Sequence, residues 1–398
     1  MRRSISLLLT ALLLLSGCGS SGPSQSNTSR PSPAASSGDN STDSSSVAEC
    51  PEVEPDPVPK PDPRQEAIDR LLSSMTVEEK VGQLFFARCP AGDGAALAEE
   101  YHLGGYILFG RDFKEKSRDQ VVADISAYQQ AAQVPLLIGV DEEGGTVVRV
   151  SSNPDLAPAR YPSPQDLFAR GGLDAVREDA RDKSELLRSL GINVNFAPVA
   201  DVSTDPVDFI YSRTLGRDAQ STSAYVSSVV GAMEEGRMGS VLKHFPGYGN
   251  NADTHTGIAV DRRPYDAFPA GDFLPFEAGI AAGADSVLVS HNIVTCMDDT
   301  LPASLSPEVH RILREELDFQ GVILTDDLAM EAIGQYAREG SAAVLALLAG
   351  NDMVVTTDFT VQIPQVLQAL EDGTIAPDLI DRAAARVLGW KYDLGLLT

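Results

Sequence analysis

Apolar residues recur along the chain in short continuous runs, and amphipathic segments separate these runs. The runs predict eight strands, at residues 82–88, 104–110, 135–140, 192–199, 239–243, 284–290, 321–325 and 352–356. Helical periodicity marks most of the intervening segments, at residues 120–132, 173–190, 222–237, 274–282, 307–317 and 337–348. Most of the strand runs are continuous rather than alternating, which is typical of strands with both faces buried. Before the first run, Thr76 followed three residues later by Glu79 predicts a capped helix start.

Strands that alternate with helices in this way imply a parallel sheet joined by right-handed crossovers. Eight such units between residues 65 and 398 predict an α/β fold, a single (β/α)8 barrel of the TIM type with long rim loops. The alternative is an open doubly wound sheet, which would need a glycine-rich phosphate-binding turn after its first strand. The sequence there reads Ala87-Arg88-Cys89-Pro90. The barrel is therefore favoured.

The first 64 residues lack the alternation of strands and helices predicted for the rest of the chain. Arg2 and Arg3 precede an apolar stretch at residues 7–15, which is too short to span a membrane in the mature protein. The following Leu15-Ser16-Gly17-Cys18 resembles a bacterial lipobox, so residues 1–17 are predicted to be a lipoprotein signal peptide and Cys18 the lipidation site. The alternative is an ordinary secretory signal with a chance cysteine.

Residues 18–64 are rich in Ser, Gly and Pro, with an acidic, proline-rich stretch at 49–63. Such a composition cannot bury a core, and it predicts a disordered tether. Diacyl attachment would hold the protein at a membrane surface without a spanning helix. We therefore expect an extracytoplasmic protein, lipid-anchored to the bacterial cell membrane.

Composition indicates which kinds of molecule the protein is expected to bind. The formal net charge is -26 and the sequence shows no basic patch, so nucleic acid is not expected to bind. The four cysteines are too few and too scattered for a disulfide framework or a zinc site. The sequence has neither His and carboxylate residues at metal-ligand spacing nor a phosphate loop, so no metal or cofactor is expected. We expect a monomer.

Charged and polar residues follow five neighbouring predicted strands, where each strand ends. They are Asp141, Arg149, Asp201, Arg213, Lys243, His244, His291, Asp326 and Asp327. In a barrel these carboxyl ends share one rim. Carboxylates together with Arg and Lys suit the recognition of a polyhydroxylated molecule such as a sugar. An ionised aspartate at such a rim can attack an anomeric carbon.

Several motifs occur in one order along the chain. They are Gly82-Gln83-Leu84, Gly104-Gly105-Tyr106-Ile107-Leu108-Phe109, Asp141-x-Glu143-Gly144-Gly145-x-Val147-x-Arg149, Lys243-His244-Phe245-Pro246-Gly247, Asp253-Thr254-His255, Pro302-Ala303-Ser304-Leu305-Ser306 and Thr325-Asp326-Asp327-Leu328-Ala329-Met330. Together they resemble glycoside hydrolase family 3 in its β-N-acetylglucosaminidase subgroup. The resemblance implies a TIM barrel that removes terminal β-linked N-acetylglucosamine with retention of configuration.

The resemblance also implies catalytic roles. Asp326 would be the nucleophile that forms a covalent glycosyl-aspartate, although an aspartate here could instead cap a following helix. His255 would be the acid/base, with Asp253 fixing its tautomer, because a histidine can give and take a proton near neutral pH. The alternative for His255 is a surface loop histidine. We expect the His255 arm to lie away from Asp326 in an empty site and to close over bound sugar.

Five residues would bind the sugar: Asp141, Arg149, Arg213, Lys243 and His244. Arg149 and Arg213 could alternatively form structural salt bridges. Arg111, Glu142, Asp201 and Asp327 would support them, and His291 would pack at the rim. Relatives commonly carry a second histidine where this chain has Tyr248, which would support the loop rather than titrate.

The leading interpretation is an exo-acting β-N-acetylhexosaminidase that acts on cell-wall muropeptide fragments. A family 3 β-glucosidase is one alternative, and Asp253-Thr254-His255 argues against it. A phosphorylase is another, because a histidine acid/base repels incoming phosphate less than a carboxylate does. A non-catalytic sugar-binding lipoprotein would not need Asp253, His255 and Asp326 together.

Overall fold

The computed structural model describes residues 62–251, 257, 259–330, 333–334, 336 and 341–398. Their strands are β1 (Phe85–Arg88), β2 (Gly105–Leu108), β3 (Leu137–Val140), β4 (Val194–Asn195), β5 (Gly239–Phe245), β6 (Val260–Asp261), β7 (Ser286–Val289), β8 (Ile293–Val294), β9 (Val322–Thr325) and β10 (Val354–Thr356). Their α-helices are α1 (Pro63–Ser74), α2 (Val77–Gln83), α3 (Gly94–Glu100), α4 (Gly110–Phe113), α5 (Arg118–Ala131), α6 (Pro164–Ser189), α7 (Ala219–Glu235), α8 (Phe273–Ala281), α9 (Pro307–Arg311), α10 (Ala342–Ala349), α11 (Phe359–Glu371) and α12 (Pro377–Asp393).

Eight parallel strands form one sheet in the order β10-β1-β2-β3-β4-β5-β7-β9. A parallel bridge between Leu324 and Met353 joins its two edges. Across the same seam, the amide of Leu328 donates to the carbonyl of Val355 at 2.9 Å. The sheet is thus a nearly closed barrel surrounded by helices, which confirms the predicted (β/α)8 fold. Strands β6 and β8 pair separately with each other and were not predicted.

The first predicted strand was too long at its amino end. Gly82 and Gln83 belong to helix α2, which Thr76 and Glu79 cap reciprocally. The Gln83 side chain then donates to the carbonyl of His102 at 2.8 Å. A short apolar run next to a capped helix is ambiguous between strand and helix, and here the helix extends into it.

Aromatic rings fill part of the barrel interior. Phe86 of β1 and Phe196 pack edge to face, with ring centroids 5.2 Å apart. Gly139 of β3 leaves room for both, since a Cβ there would lie 2.5 Å from the Phe196 ring and 2.8 Å from the Phe86 ring. Burying each such ring stabilises the fold by roughly 1.5–3 kcal/mol, and a larger residue at position 139 would displace them.

The amino-terminal part of the chain is not described before residue 62. The predicted signal peptide, the tether and Cys18 therefore lie outside the described residues, as do residues 337–340 ahead of helix α10. Among the helices that the structure does describe, none is both long enough and apolar enough to cross a membrane.

Candidate active site

A cavity of about 530 Å³ opens at the carboxyl ends of the barrel strands. This volume is ordinary for a small-molecule site. The polar and aromatic residues around it include Arg88, Phe109, Asp141, Arg149, Arg213, Lys243, His244, Tyr248, Asp326 and Asp327. All five predicted sugar-binding residues and the predicted nucleophile therefore meet at one site.

Lys243 stands between two carboxylates at the floor of this cavity. Its Nζ lies 2.7 Å from Asp141 Oδ1 and 2.6 Å from Glu143 Oε1. The other cation of the cluster is Arg213, which forms a two-pronged pair with Glu143 at 2.7 and 3.0 Å. Burial by itself would raise the pKa of Glu143, but Arg213 and Lys243 overcome it and hold that pKa far below its usual range. Glu143 is therefore a fixed negative charge that positions both cations.

His244 is held in one orientation. Its Nδ1 lies 2.7 Å from Asp201 Oδ2, and its Nε2 lies 3.2 Å from Arg213 Nη2. An arginine can only donate, so Nε2 accepts and Nδ1 donates to the carboxylate. Asp201 also accepts from the backbone amides of His244 (3.1 Å) and Tyr248 (2.8 Å). One buried carboxylate thus fixes the His244 ring and the turn that follows it.

Tyr248 is a packing residue of this turn. Its side chain is buried and meets the His244 ring edge to face at 5.1 Å. It also packs with Val199 and Ile210 in a small apolar cluster. This placement agrees with the predicted supporting role.

Asp326 directly follows strand β9. Its backbone amide donates to the carbonyl of Val289 at 2.9 Å, and its Oδ1 accepts from the amide of Asp327 at 2.8 Å. Asp327 forms a turn in which its carboxylate accepts from the amide of Ala329. Burial raises the pKa of Asp327, and the neighbouring Asp326 adds to the effect. Residues 326–330 form turns, so the described part of this segment offers Asp326 no helix to cap.

His291 is fully buried beside this turn. Its Nδ1 lies 2.7 Å from Ser304 Oγ, and its Nε2 lies 3.0 Å from the carbonyl of Asp327. These bonds hold the backbone next to Asp326. His291 therefore packs at the rim, as the sequence predicted.

Residues 252–256, including Asp253 and His255, lie outside the described residues, so their predicted roles and the predicted closure stay predictions. Asn251 donates to Asp261 Oδ2 at 2.9 Å, which ties the two sides of the loop together. Arg263 then bridges Asp261 and Asp272 at 2.7 and 2.8 Å. The base of the loop is therefore anchored.

Three residues that shape the site were not among the predicted site residues. Arg88 and Phe109 line the cavity, and Glu143 forms ion pairs with the cavity residues Arg213 and Lys243. Glu143 was quoted only as part of a motif, and its position two residues after Asp141 was the available signal. Arg88 is a single cation after an apolar run, which carries no pattern of its own. In the described ranges, no cluster of His, Cys, Asp or Glu side chains has the geometry to hold a metal ion.

The family is shown by direct comparison. The family model described as glycosyl hydrolase family 3 N terminal domain matches residues 76–389. The chain belongs to glycoside hydrolase family 3. It is a glycoside hydrolase, with the cavity at the rim position where barrel enzymes carry their active sites.

Named relatives share much of its length. The β-hexosaminidase LpqI of Mycobacterium tuberculosis is 34% identical over 352 residues, which cover 84% of this chain and 88% of the relative. A β-hexosaminidase of Xanthomonas campestris pv. campestris is 34% identical over 294 residues, or 72% and 87% of the two chains. The solved family 3 β-N-acetylglucosaminidase of Paenibacillus sp. superposes with a TM-score of 0.76 at 31% identity. That match covers 81% of this chain and 63% of the solved one, so this chain spans less than two thirds of its length.

Proposed function

We propose that this glycoside hydrolase is a retaining exo-β-N-acetylhexosaminidase that removes terminal β-linked N-acetylglucosamine. The observation that carries the proposal is one cavity lined by Asp326 together with Asp141, Lys243 and Arg213. Ion pairs with Asp141 and Glu143 fix the two cations. The names of the relatives, β-hexosaminidase and β-N-acetylglucosaminidase, support the choice of sugar.

The binding cluster suits a pyranose with adjacent hydroxyls. Lys243 and Arg213 present donors whose positions their carboxylate partners already fix, so little ordering is required when a sugar binds. Asp141 is only partly buried and can accept a bond from a hydroxyl while it holds Lys243. Arg149 lies 3.8 Å from Asp141, and its buried Nε has no hydrogen-bond partner in the described part of the site. The Arg149 side chain lines the cavity and is only loosely paired, so its guanidinium can donate to substrate.

The reaction would proceed in two displacements. In the first, an Asp326 oxygen attacks the anomeric carbon, and His255 gives a proton to the leaving oxygen as the glycosidic bond breaks. In the second, His255 takes a proton from water, the water oxygen attacks the same carbon, and the bond to Asp326 breaks. Two inversions give net retention, and the histidine returns to its starting protonation state.

Replacing the nucleophile tests this mechanism. We expect Asp326→Ala to lower kcat on p-nitrophenyl N-acetyl-β-glucosaminide by at least about 1,000-fold. Azide added to this variant should restore turnover and give the α-glycosyl azide, because a small anion can enter the space that the carboxylate leaves. Asp378→Ala on the exposed face of α12 is the matched control and should keep full activity. Full activity in Asp326→Ala would contradict the assignment.

The acid role of His255 has its own test. We expect His255→Ala to lose more activity on glycosides with poor leaving groups than on activated aryl glycosides, which need little protonation. The measurement is kcat/KM across a series of aryl glycosides with increasing leaving-group pKa. Equal losses along the series would remove His255 from the acid role.

A substrate panel separates the alternatives. Wild-type protein is tested on aryl N-acetylglucosaminide, N-acetylgalactosaminide and glucoside, each with and without inorganic phosphate. The proposed hexosaminidase should prefer the N-acetylated sugars and release free sugar. A preference for glucoside indicates the β-glucosidase alternative, and glycosyl phosphate among the products indicates the phosphorylase.

We also propose that Cys18 is lipidated and anchors the protein outside the cytoplasm, where muropeptide fragments of the cell wall are the natural substrates. The lipobox-like sequence and the tether-like composition of residues 18–64 support this. Expression with a clickable fatty acid should label the wild-type protein, and Cys18→Ala should lose the label. Labelling of that variant would contradict the anchor.

A further inference from the structure

Arg88 lies at the end of strand β1 and lines the cavity, on the opposite side of the barrel sheet from strand β5 with its Lys243. Its guanidinium carbon lies 4.4 Å from the centre of the Phe109 ring. The guanidinium carbon of Arg149 approaches the same ring at 5.9 Å. Two arginines therefore make cation–π contact with one aromatic ring in the wall of the cavity.

The cations of the cavity differ in their pairing. Lys243, Arg213 and Arg149 each lie within 4.0 Å of a carboxylate. The Arg88 side chain makes no ion pair and no hydrogen bond in the described part of the chain, and its Nε is buried without a partner. Its charge does act on Asp327 and Asp112, whose pKa values it lowers against the larger effect of burial.

Among the described arginines that line the cavity, Arg88 alone has no carboxylate partner. The formal net charge of -26 means that carboxylates are abundant, yet none of the described ones pairs with Arg88. A guanidinium that has lost contact with water binds most strongly to an oxyanion, because the oxyanion can accept two parallel N–H bonds from it. The general field of the protein repels anions, so an anionic ligand would need such a local positive site.

We propose that Arg88 binds an oxyanion carried by the substrate, a carboxylate or a phosphate, and selects acidic saccharides over neutral ones. Phe109 holds the guanidinium by cation–π contact, and Arg149 near the same ring adds positive potential. This inference rests on the proposed function, since it names the class of glycoside that the same cavity takes. Arg88 is a specificity residue and does not touch the reacting atoms.

The test compares two disaccharides that differ in charge alone. One is N-acetylglucosaminyl-β-1,4-N-acetylmuramic acid, and the other is its lactyl methyl ester. For Arg88→Gln we expect kcat/KM to fall about 10- to 100-fold on the acid and less than about threefold on the ester. Arg88→Lys should keep part of the preference, because it keeps the charge without the fork. Wild-type preference for the acid should weaken as salt rises.

Control measurements distinguish a change in specificity from a folding defect and from an effect of inorganic phosphate. Arg382→Gln on α12 removes an exposed arginine and should change neither rate. Thermal unfolding of Arg88→Gln and Arg88→Lys checks that both variants fold. Equal losses on acid and ester would overturn the inference, as would inorganic phosphate that accelerates wild-type turnover in an Arg88-dependent way. Activity of wild-type protein on the neutral aryl glycoside reports the proposed function separately, so the two can fail independently.

Discussion

Glu143 Oε1 lies 2.6 Å from Lys243 Nζ, and both side chains are almost completely hidden from solvent. Asp141 holds the same ammonium group from its other side at 2.7 Å. The buried carboxylate neutralises cations that would otherwise repel each other, and the partly buried Asp141 remains able to meet a substrate. The two acidic residues of the Asp141-x-Glu143 motif therefore differ: Glu143 holds the two cations in place, and Asp141 has the sugar-binding role that we propose.

Glu143→Gln should weaken both fold and binding. It keeps the side-chain size but leaves Lys243 and Arg213 without their shared counter-charge, which costs roughly 3–5 kcal/mol for a buried pair. We expect KM for the aryl glycoside to rise as the two cations lose their positions. The exposed pair Arg181–Glu235 has a similar length of 2.6 Å, so Glu235→Gln is the matched control and should cost less than about 1 kcal/mol.

The effect of Glu143→Gln should also depend on pH. The pKa of Glu143 is lowered in the folded state, so its stabilising contribution is complete above the usual glutamate pKa of 4.5 and is lost as the pH falls toward the lowered value. Urea unfolding of wild type and variant should therefore differ most near neutral pH and converge in acid. A difference that does not change with pH would contradict the charge argument.

Asp201→Asn should disturb His244. Both carboxylate oxygens of Asp201 accept bonds, from the His244 amide and ring and from the Tyr248 amide. An asparagine amide group must turn its NH2 toward one of these donors, which costs roughly 1–3 kcal/mol for the buried group left unsatisfied. We expect a loss of kcat/KM with the barrel intact by circular dichroism. Unchanged kinetics would show that the Asp201–His244 bond does not position the ring.

The sequence predicted the barrel and the gathering of its rim residues for a simple physical reason. Strands buried on both faces are continuous apolar runs, and their carboxyl ends share one rim. The sequence alone therefore predicts that one rim gathers Asp141, Arg213, Lys243 and Asp326. The two-residue strands β6 and β8 were missed because so short a segment has no periodicity.

Pairing within the rim was not predictable from residue types. Asp141 and Glu143 are both acidic and two residues apart, and their different exposure depends on how Arg213 enters from a distant loop. Arg88 was missed because its proposed binding role depends on the absence of an ion-pair partner in the fold, and a sequence does not show which charges are unpaired. Gly82 and Gln83 were assigned to a strand because short apolar runs fit both kinds of element.

Tyr248 should act through its ring. The ring packs on His244 and on the apolar cluster around Val199 and Ile210. We expect Tyr248→Phe to keep the pH profile and most of kcat, and Tyr248→Ala to lose at least tenfold in kcat/KM because the turn loses roughly 3–5 kcal/mol of packing. A change in the pH profile of Tyr248→Phe would mean that the hydroxyl takes part in proton transfer.

Lys391 is a buried cation away from the cavity. Its side chain on α12 is fully inaccessible, and its Nζ donates to Gln83 Oε1 at 2.5 Å. Burial lowers its pKa from 10.5 to about 7. The folded state therefore resists protonation of Lys391, whereas the unfolded chain accepts the proton readily. Below about pH 7 this difference destabilises the fold fully, and above about pH 10.5 it vanishes.

Lys391→Met should therefore have an effect on stability that depends on pH. The substitution removes the penalty of the buried charge but leaves Gln83 Oε1 without its donor, and this second cost does not vary with pH. Relative to wild type, the variant should gain about 2–3 kcal/mol in its free energy of unfolding on going from pH 9.5 to pH 7. Urea unfolding at both pH values measures it, with Lys114→Met at an exposed lysine as control. The same stability difference from wild type at both pH values would mean that Lys391 keeps its ordinary pKa in the folded protein.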